Sequence, residues 1–130
     1  MANPNIVSVT AITAGTMGWN LPTGGLVNLI SPSADYLLKI NRIMVANVDG
    51  SAAADVDVAI VTASQSFTNT TVTGADATTY LAKTISVPAD AALVITDTPI
   101  YLRAADNLQA NASASGDLDL TITFELITDA

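Results

Sequence analysis

The stretch NASASGDLDLTITFELI, residues 111–127, settles into strict alternation at Asp117: Leu118, Leu120, Ile122, Phe124 and Leu126 fall on one phase, and Asp117, Asp119, Thr121, Thr123 and Glu125 on the other. Side chains of an extended chain point to opposite faces at each step, so a segment of this period buries one face and wets the other, as a strand of an antiparallel sheet does. An amphipathic helix would repeat its apolar residues at i, i+3, i+4 and i+7, and no window of the chain does so convincingly. The whole sequence is therefore read as β-structure.

Working outward, ADVDVAIVT (54–62) alternates in the same way, with Val56, Val58 and Ile60 inward. Before it, DYLLKINRIMVANV (35–48) places Leu38, Ile40, Met44, Ala46 and Val48 on one phase and Ile43 and Val45 on the other. Arg42 interrupts the first phase, which calls for a bulge or for a strand buried on both faces. DGSA (49–52) reads as the turn between the two, with Gly50 free to take positive φ. NIVSVTAIT (5–13) and GLVNLIS (25–31) are expected strands, separated by AGTMGWNLPTGG (14–25), whose Gly and Pro content predicts a loop.

Residues 63–78 are polar and Thr-rich, an expected extended loop with a weak strand at its edge. Beyond them TYLAKTISV (79–87), AALVIT (91–96), PIYLR (99–103) and DNLQANAS (106–113) are further strands, with Pro88 and Pro99 at margins where a missing N–H is tolerated. About eight short antiparallel strands at intervals of roughly 8–15 residues point to a single all-β domain over 1–130, a β-sandwich of jelly-roll or immunoglobulin-like kind. Residues 1–35 are expected to include an N-terminal arm or interface segment.

Half of the 130 residues are apolar and only 12% are charged, about half the usual charged share. Low hydrophobicity with high charge marks a disordered chain, and this one has the reverse. Much of its surface must be uncharged Ala, Thr, Ser and Asn, a surface suited to being covered by a neighbour. Net charge is −8 with four cations, Lys39, Arg42, Lys83 and Arg103. They form no cluster that would neutralise a run of phosphates, so neither nucleic acid nor an anionic membrane is an expected partner. The amino-terminal stretch has no Lys or Arg ahead of its short apolar run and does not read as a signal peptide.

With no His and no Cys, triads and dyads built on those residues and the common zinc sites cannot form. Neither Lys39 nor Lys83 lies in a Ser–Lys nucleophile motif, and there is no GxGxxG and no P-loop. The remaining candidates are Asp55 with Asp57 and Asp117 with Asp119, each pair on one face of a strand at roughly 6–7 Å. Such pairs suit Ca²⁺ binding or glycoside acid–base chemistry. Their phase opposite the apolar residues is also where solvated side chains belong, and that reading is preferred: no catalytic residue, metal or cofactor is assigned.

The candidate interface residues are Trp19 with Met17 and Leu21, large apolar side chains in an expected loop, and the four cations Lys39, Arg42, Lys83 and Arg103. An apolar side chain on a loop anchors an interface or folds back as a lid over the open end of a sandwich. The cations are read as gatekeepers on edge strands or as inter-subunit ion-pair partners. Tyr80, Tyr101 and Phe124 are read as core or half-core.

From residue 36 onward the order of segments resembles a group of small virion structural proteins of tailed bacteriophages, marine and cyanobacterial ones especially. The resemblance rests on the Asn and Ser/Ala turn of 47–53, the VPA turn at 87–89, the apolar 93–95, the L-x-x-x-D-x-L run from Leu102 through Asp106 to Leu108, and the alternating final strand. It implies a non-enzymatic virion protein made in the bacterial host cytoplasm, and no catalytic residue. The expected role is capsid decoration or cement, with the chain itself, as a homotrimer, and the major capsid protein as partners. The alternatives are a neck, tail or fibre-base adaptor and a carbohydrate-binding, host-recognition module using Trp19 and the loop 63–78.

Overall fold

Eleven strands and no helix make up the described part of the chain, residues 8–66 and 73–128 of a computed structural model. In chain order they are β1 (Ala11–Asn20), β2 (Val27–Ile30), β3 (Tyr36–Asn47), β4 (Ala54–Thr62), β5 (Gln65–Ser66), β6 (Thr73–Gly74), β7 (Ala77–Val87), β8 (Ala92–Thr96), β9 (Ile100–Leu102), β10 (Asn107–Ala112) and β11 (Leu118–Thr128). One sheet has the order β1-β11-β3-β8, with β9 continuing the β8 edge along β3; the other has the order β2-β10-β4-β7. All the pairings are antiparallel, and β5 and β6 pair only with each other.

The pairing order decides between the two sandwiches expected from the sequence. The first strand pairs with the last (β1 with β11), β2 with β10, β3 with β8 and β9, and β4 with β7. These are nested pairs of one long hairpin, and they alternate between the two sheets. A hairpin rolled up so that alternate pairs fall in opposite sheets is a jelly roll.

The two inner faces share one core. It includes Leu38, Ile40, Ile43 and Val45 of β3, Leu118, Leu120 and Ile122 of β11, Val56, Val58 and Ile60 of β4, and Leu108, Ala110 and Ala112 of β10. Each fully buried branched side chain contributes roughly 1.5–3 kcal/mol of burial free energy. The phase break in β3 is a bulge. Thr123 pairs with Arg42 and Phe124 with Ile40, so Asn41 has no opposite residue and the buried set passes from Leu38 and Ile40 to Ile43 and Val45. Met44 and Ala46 therefore lie on the outward phase.

Two expectations give way. The segment 14–20 continues β1, paired in unbroken register from Ala11↔Thr128 to Asn20↔Asp119. The expected strand 5–13 thus lies several residues further along, with 5–7 outside the described residues. The turn 49–52 does not use a positive φ at Gly50. It is held by the Asp49 carboxylate, which accepts the Ser51 N–H at 2.9 Å and the Ser51 hydroxyl at 2.8 Å.

Candidate interaction surface

Three of the candidate residues lie along β1 and its continuation, and they share a face. Met17 is opposite Ile122 and Trp19 opposite Leu120, so both follow the inward phase, as does Leu21, whose N–H donates to the Leu118 carbonyl. Their exposure falls along the chain. Met17 is 41% exposed, Trp19 is half-buried against the core, and Leu21 is 1% exposed. Leu21 is thus a core residue, which corrects its reading as an interface anchor. Trp19 is on a strand, packed under the sandwich edge.

Met17 stays exposed at an apolar groove that also takes in Ile30, the last residue of the four-residue β2, and Pro32. The groove has a volume of about 370 Å³ and is lined by Met17, Ile30, Pro32, Tyr36, Phe124 and Leu126 among others. Gly15 faces Phe124 within this end of the sandwich. The tip of the Phe124 ring lies 2.8 Å from where a Cβ on Gly15 would stand. An aromatic ring covering a strand glycine explains why a residue of poor β-propensity sits inside β1.

The four cations are dispersed. Lys39 and Arg42 are on β3, an interior strand flanked by β11 on one side and by β8 and β9 on the other, so neither stands on an edge strand as the gatekeeper reading expects; Arg42 falls in the gap between the β9 and β8 pairings. Lys39 Nζ is 3.9 Å from Glu125 Oε2, its cross-strand neighbour, a half-exposed pair worth about 0–1 kcal/mol. Arg42 is exposed on the outward face opposite Thr123. Lys83 is on the edge strand β7, where its Nζ sits 4.3 Å above the Tyr80 ring, and there the gatekeeper reading fits. Arg103 closes β9, and its backbone N–H donates to Asp106.

The aspartate pairs are partly engaged in strand architecture. Asp57 Oδ1 accepts the Thr84 N–H at 2.6 Å, holding a bulge of β7 at which Thr84 has φ 53°. Asp119 Oδ1 accepts from Asn20 Nδ2 at 2.8 Å across β1 and β11. Among the described residues no three acidic side chains converge in a way that could hold a metal ion.

The structure also brings forward two buried polar residues not singled out as site candidates from sequence. Asn47 is 3% exposed and Asp106 2%, and each ties together segments remote in sequence. For Asn47 the readable signal is its phase, in register with Ile43 and Val45 once the bulge is counted. Asp106 stands in the run Leu102 to Leu108 and stabilises a turn.

Most of the large exposed apolar side chains lie at the sheet edges, Ile12 and Met17 on β1, Tyr80, Leu81 and Ile85 on β7, Val94 on β8 and Tyr101 on β9, while Tyr36 opens the interior strand β3 and Val48 follows its end. Tyr80 and Tyr101 are thus exposed, which corrects their reading as core or half-core residues. The outward phases between these edges include uncharged side chains, Thr16 and Thr123 on one sheet and Asn28 and Gln109 on the other, with Lys39, Arg42, Asp119 and Glu125 among them on β3 and β11. Compared with known proteins, the chain matches no family model and no curated sequence.

Proposed function

We propose that this chain is a non-enzymatic structural protein of a bacteriophage virion, acting as a decoration or cement protein on the capsid. The observation that carries the reading is the distribution of exposed apolar side chains over three separate edges of one jelly roll, with Ile12 58% and Tyr101 54% exposed at opposite edges of the same sheet. A protein with one ligand concentrates its exposed apolar surface in one patch. A block that bridges neighbours needs such surface on several sides. The bacteriophage assignment itself comes from the resemblance of residues 36–127, and the jelly roll, a fold used by viral capsid and lectin domains among others, is compatible with it.

The mechanism is passive. A protein that binds across the joints of an assembled shell, and not to its separated subunits, stabilises the assembly by mass action. Low surface charge favours this, because fewer charges need be desolvated when the edges are covered. The partners on this reading are further copies of the chain and the major capsid protein.

The test is the copy number in purified particles from its source, by quantitative mass spectrometry. Hundreds of copies per particle support decoration, a dozen or so move the protein to the neck or tail, and absence from the particle removes the virion reading.

A further inference from the structure

A sheet edge presents a row of unpaired N–H and C=O groups, and proteins protect such edges with short strands, bulges, charges or proline. Three of the four edges of the two main sheets are protected. The β2 edge is four residues long, between the positive-φ Gly24 and Gly25 and Pro32. The β7 edge is broken by register shifts against β4 and carries Lys83. The edge opposite β1 is split into β8, of five residues, and β9, of three, by a turn containing Asp97 and Pro99.

The β1 edge has none of these devices. It is ten residues long, in unbroken register with β11, with no proline and no charge, and no described strand pairs with its outer side. Its free groups can be named. Leu21 N–H donates to Leu118 across the same ladder, so within the unbroken register of 11–20 odd-numbered residues direct their backbone groups to β11; just before it, the Thr10 N–H also donates to the Thr128 carbonyl. The even-numbered Ile12, Ala14, Thr16, Gly18 and Asn20 direct theirs outward.

From this we infer that β1 is the site at which a second copy of the chain pairs, antiparallel and about a twofold axis. Two observations select a copy of the same chain. Residues 1–34 contain no ionisable side chain although the chain carries −8, so β1 is where two such acidic molecules approach with least repulsion. The nearest carboxylates on β11 are already engaged, Glu125 by Lys39 and Asp119 by Asn20.

Because the other edges of the two main sheets are protected, edge pairing between these sheets of identical chains joins β1 to β1, and such self-complementary contacts are twofold. Any register that pairs most of the ten residues brings the axis close to Thr16. The result is one continuous sheet across two jelly rolls, with the apolar groove beside Met17 repeated on either side of the junction. This departs from the threefold assembly expected from the sequence, and it stands independently of the virion reading.

Analytical ultracentrifugation of the purified chain, joined to amide hydrogen exchange at low and high protein concentration, tests it. The expected result is a dimer whose formation protects the amides of Ile12, Ala14, Thr16, Gly18 and Asn20. Thr16→Pro removes an outward N–H while sparing the donors of the β1–β11 ladder. Thr16→Lys keeps the backbone donor but sets two like charges across the axis. Each should weaken self-association at least about ten-fold, with Thr16→Lys retaining the parent circular dichroism. A monomer or a trimer, or a dimer that leaves these amides unprotected or ignores Thr16→Lys, overturns the proposal. Copy number in particles does not bear on it, so either conclusion can fail alone.

Discussion

Asn47 Nδ2 donates to the Val87 carbonyl at 2.9 Å, tying the end of β3 in one sheet to the end of β7 in the other. The same amide donates to the Ala52 carbonyl at 3.0 Å, and its Oδ1 accepts the Asp49 N–H at 2.9 Å. One buried side chain thus satisfies three backbone groups where the β3–β4 turn meets the second sheet. Asn47→Ala should cost about 2–3 kcal/mol and lower Tm by roughly 5–10 °C. Asn47→Asp should cost more, because a carboxylate cannot donate to either carbonyl. Urea unfolding measures both, with a lower midpoint at unchanged slope as the expected signature.

Gly15 and Phe124 form a pair in which neither can be changed independently. A methyl group on Gly15 would meet the ring 2.8 Å away, so the ring must swing toward the open groove or β1 must draw back. Gly15→Ala, ordinarily neutral to favourable in a strand, should therefore destabilise by about 1–2 kcal/mol. In a Phe124→Leu background the cost should shrink. A double-mutant cycle by thermal denaturation measures the coupling, and simple additivity would show that the contact does not matter.

These two contacts bear on how much of the molecule could be read from its sequence. Strands β4, β10 and β11 were legible because each buries one face and wets the other, and Arg42 marked the β3 bulge by breaking phase. The second half of β1 was not legible. It is exposed along most of both faces, so no contrast of phase exists, and Gly15 and Gly18 read as loop residues. Strand order was hidden for a different reason, since the partner of β1 lies about a hundred positions away and alternation carries no information about which strands pair. The same non-locality misplaced Lys39 and Arg42 at an edge. Leu21 was grouped with Trp19 and Met17 by adjacency, whereas their shared strand phase runs from the groove into the core.

Asp49 provides a titration that checks the turn at 49–52. Hydrogen bonds from the Ser51 hydroxyl and backbone N–H hold its carboxyl below the ordinary carboxylate value. A carboxyl depressed in the folded state contributes stability above its unfolded pKa and loses that contribution as pH falls through the folded value, here below the usual carboxylate range. The side chain is solvent-exposed, so the effect is to be sought in the titration and not in global stability. An NMR pH titration of the Asp49 carboxyl should show the depressed midpoint, and Ser51→Ala should move it back toward the ordinary value.

Asp106 is a buried carboxylate used to hold backbone in place. Its Oδ1 accepts the Ala63 N–H at 3.0 Å and its Oδ2 the Arg103 N–H at 2.9 Å, while its own carbonyl accepts the Ser31 hydroxyl at 2.7 Å. The turn from β9 into β10, with Ala105 at φ 74°, is thereby fastened to the chain leaving β4. Asp106→Asn keeps the shape but must turn an NH₂ toward one of the two backbone donors, at a cost of about 1–3 kcal/mol. Asp106→Ala leaves both donors buried without an acceptor and opens a small void, so its cost should exceed that of Asp106→Asn. Hydrogen exchange should show the amides of Ala63 and Arg103 losing protection before those of β10 and β11. Uniform loss across the core would mean instead that Asp106 contributes to global stability without fastening this junction in particular.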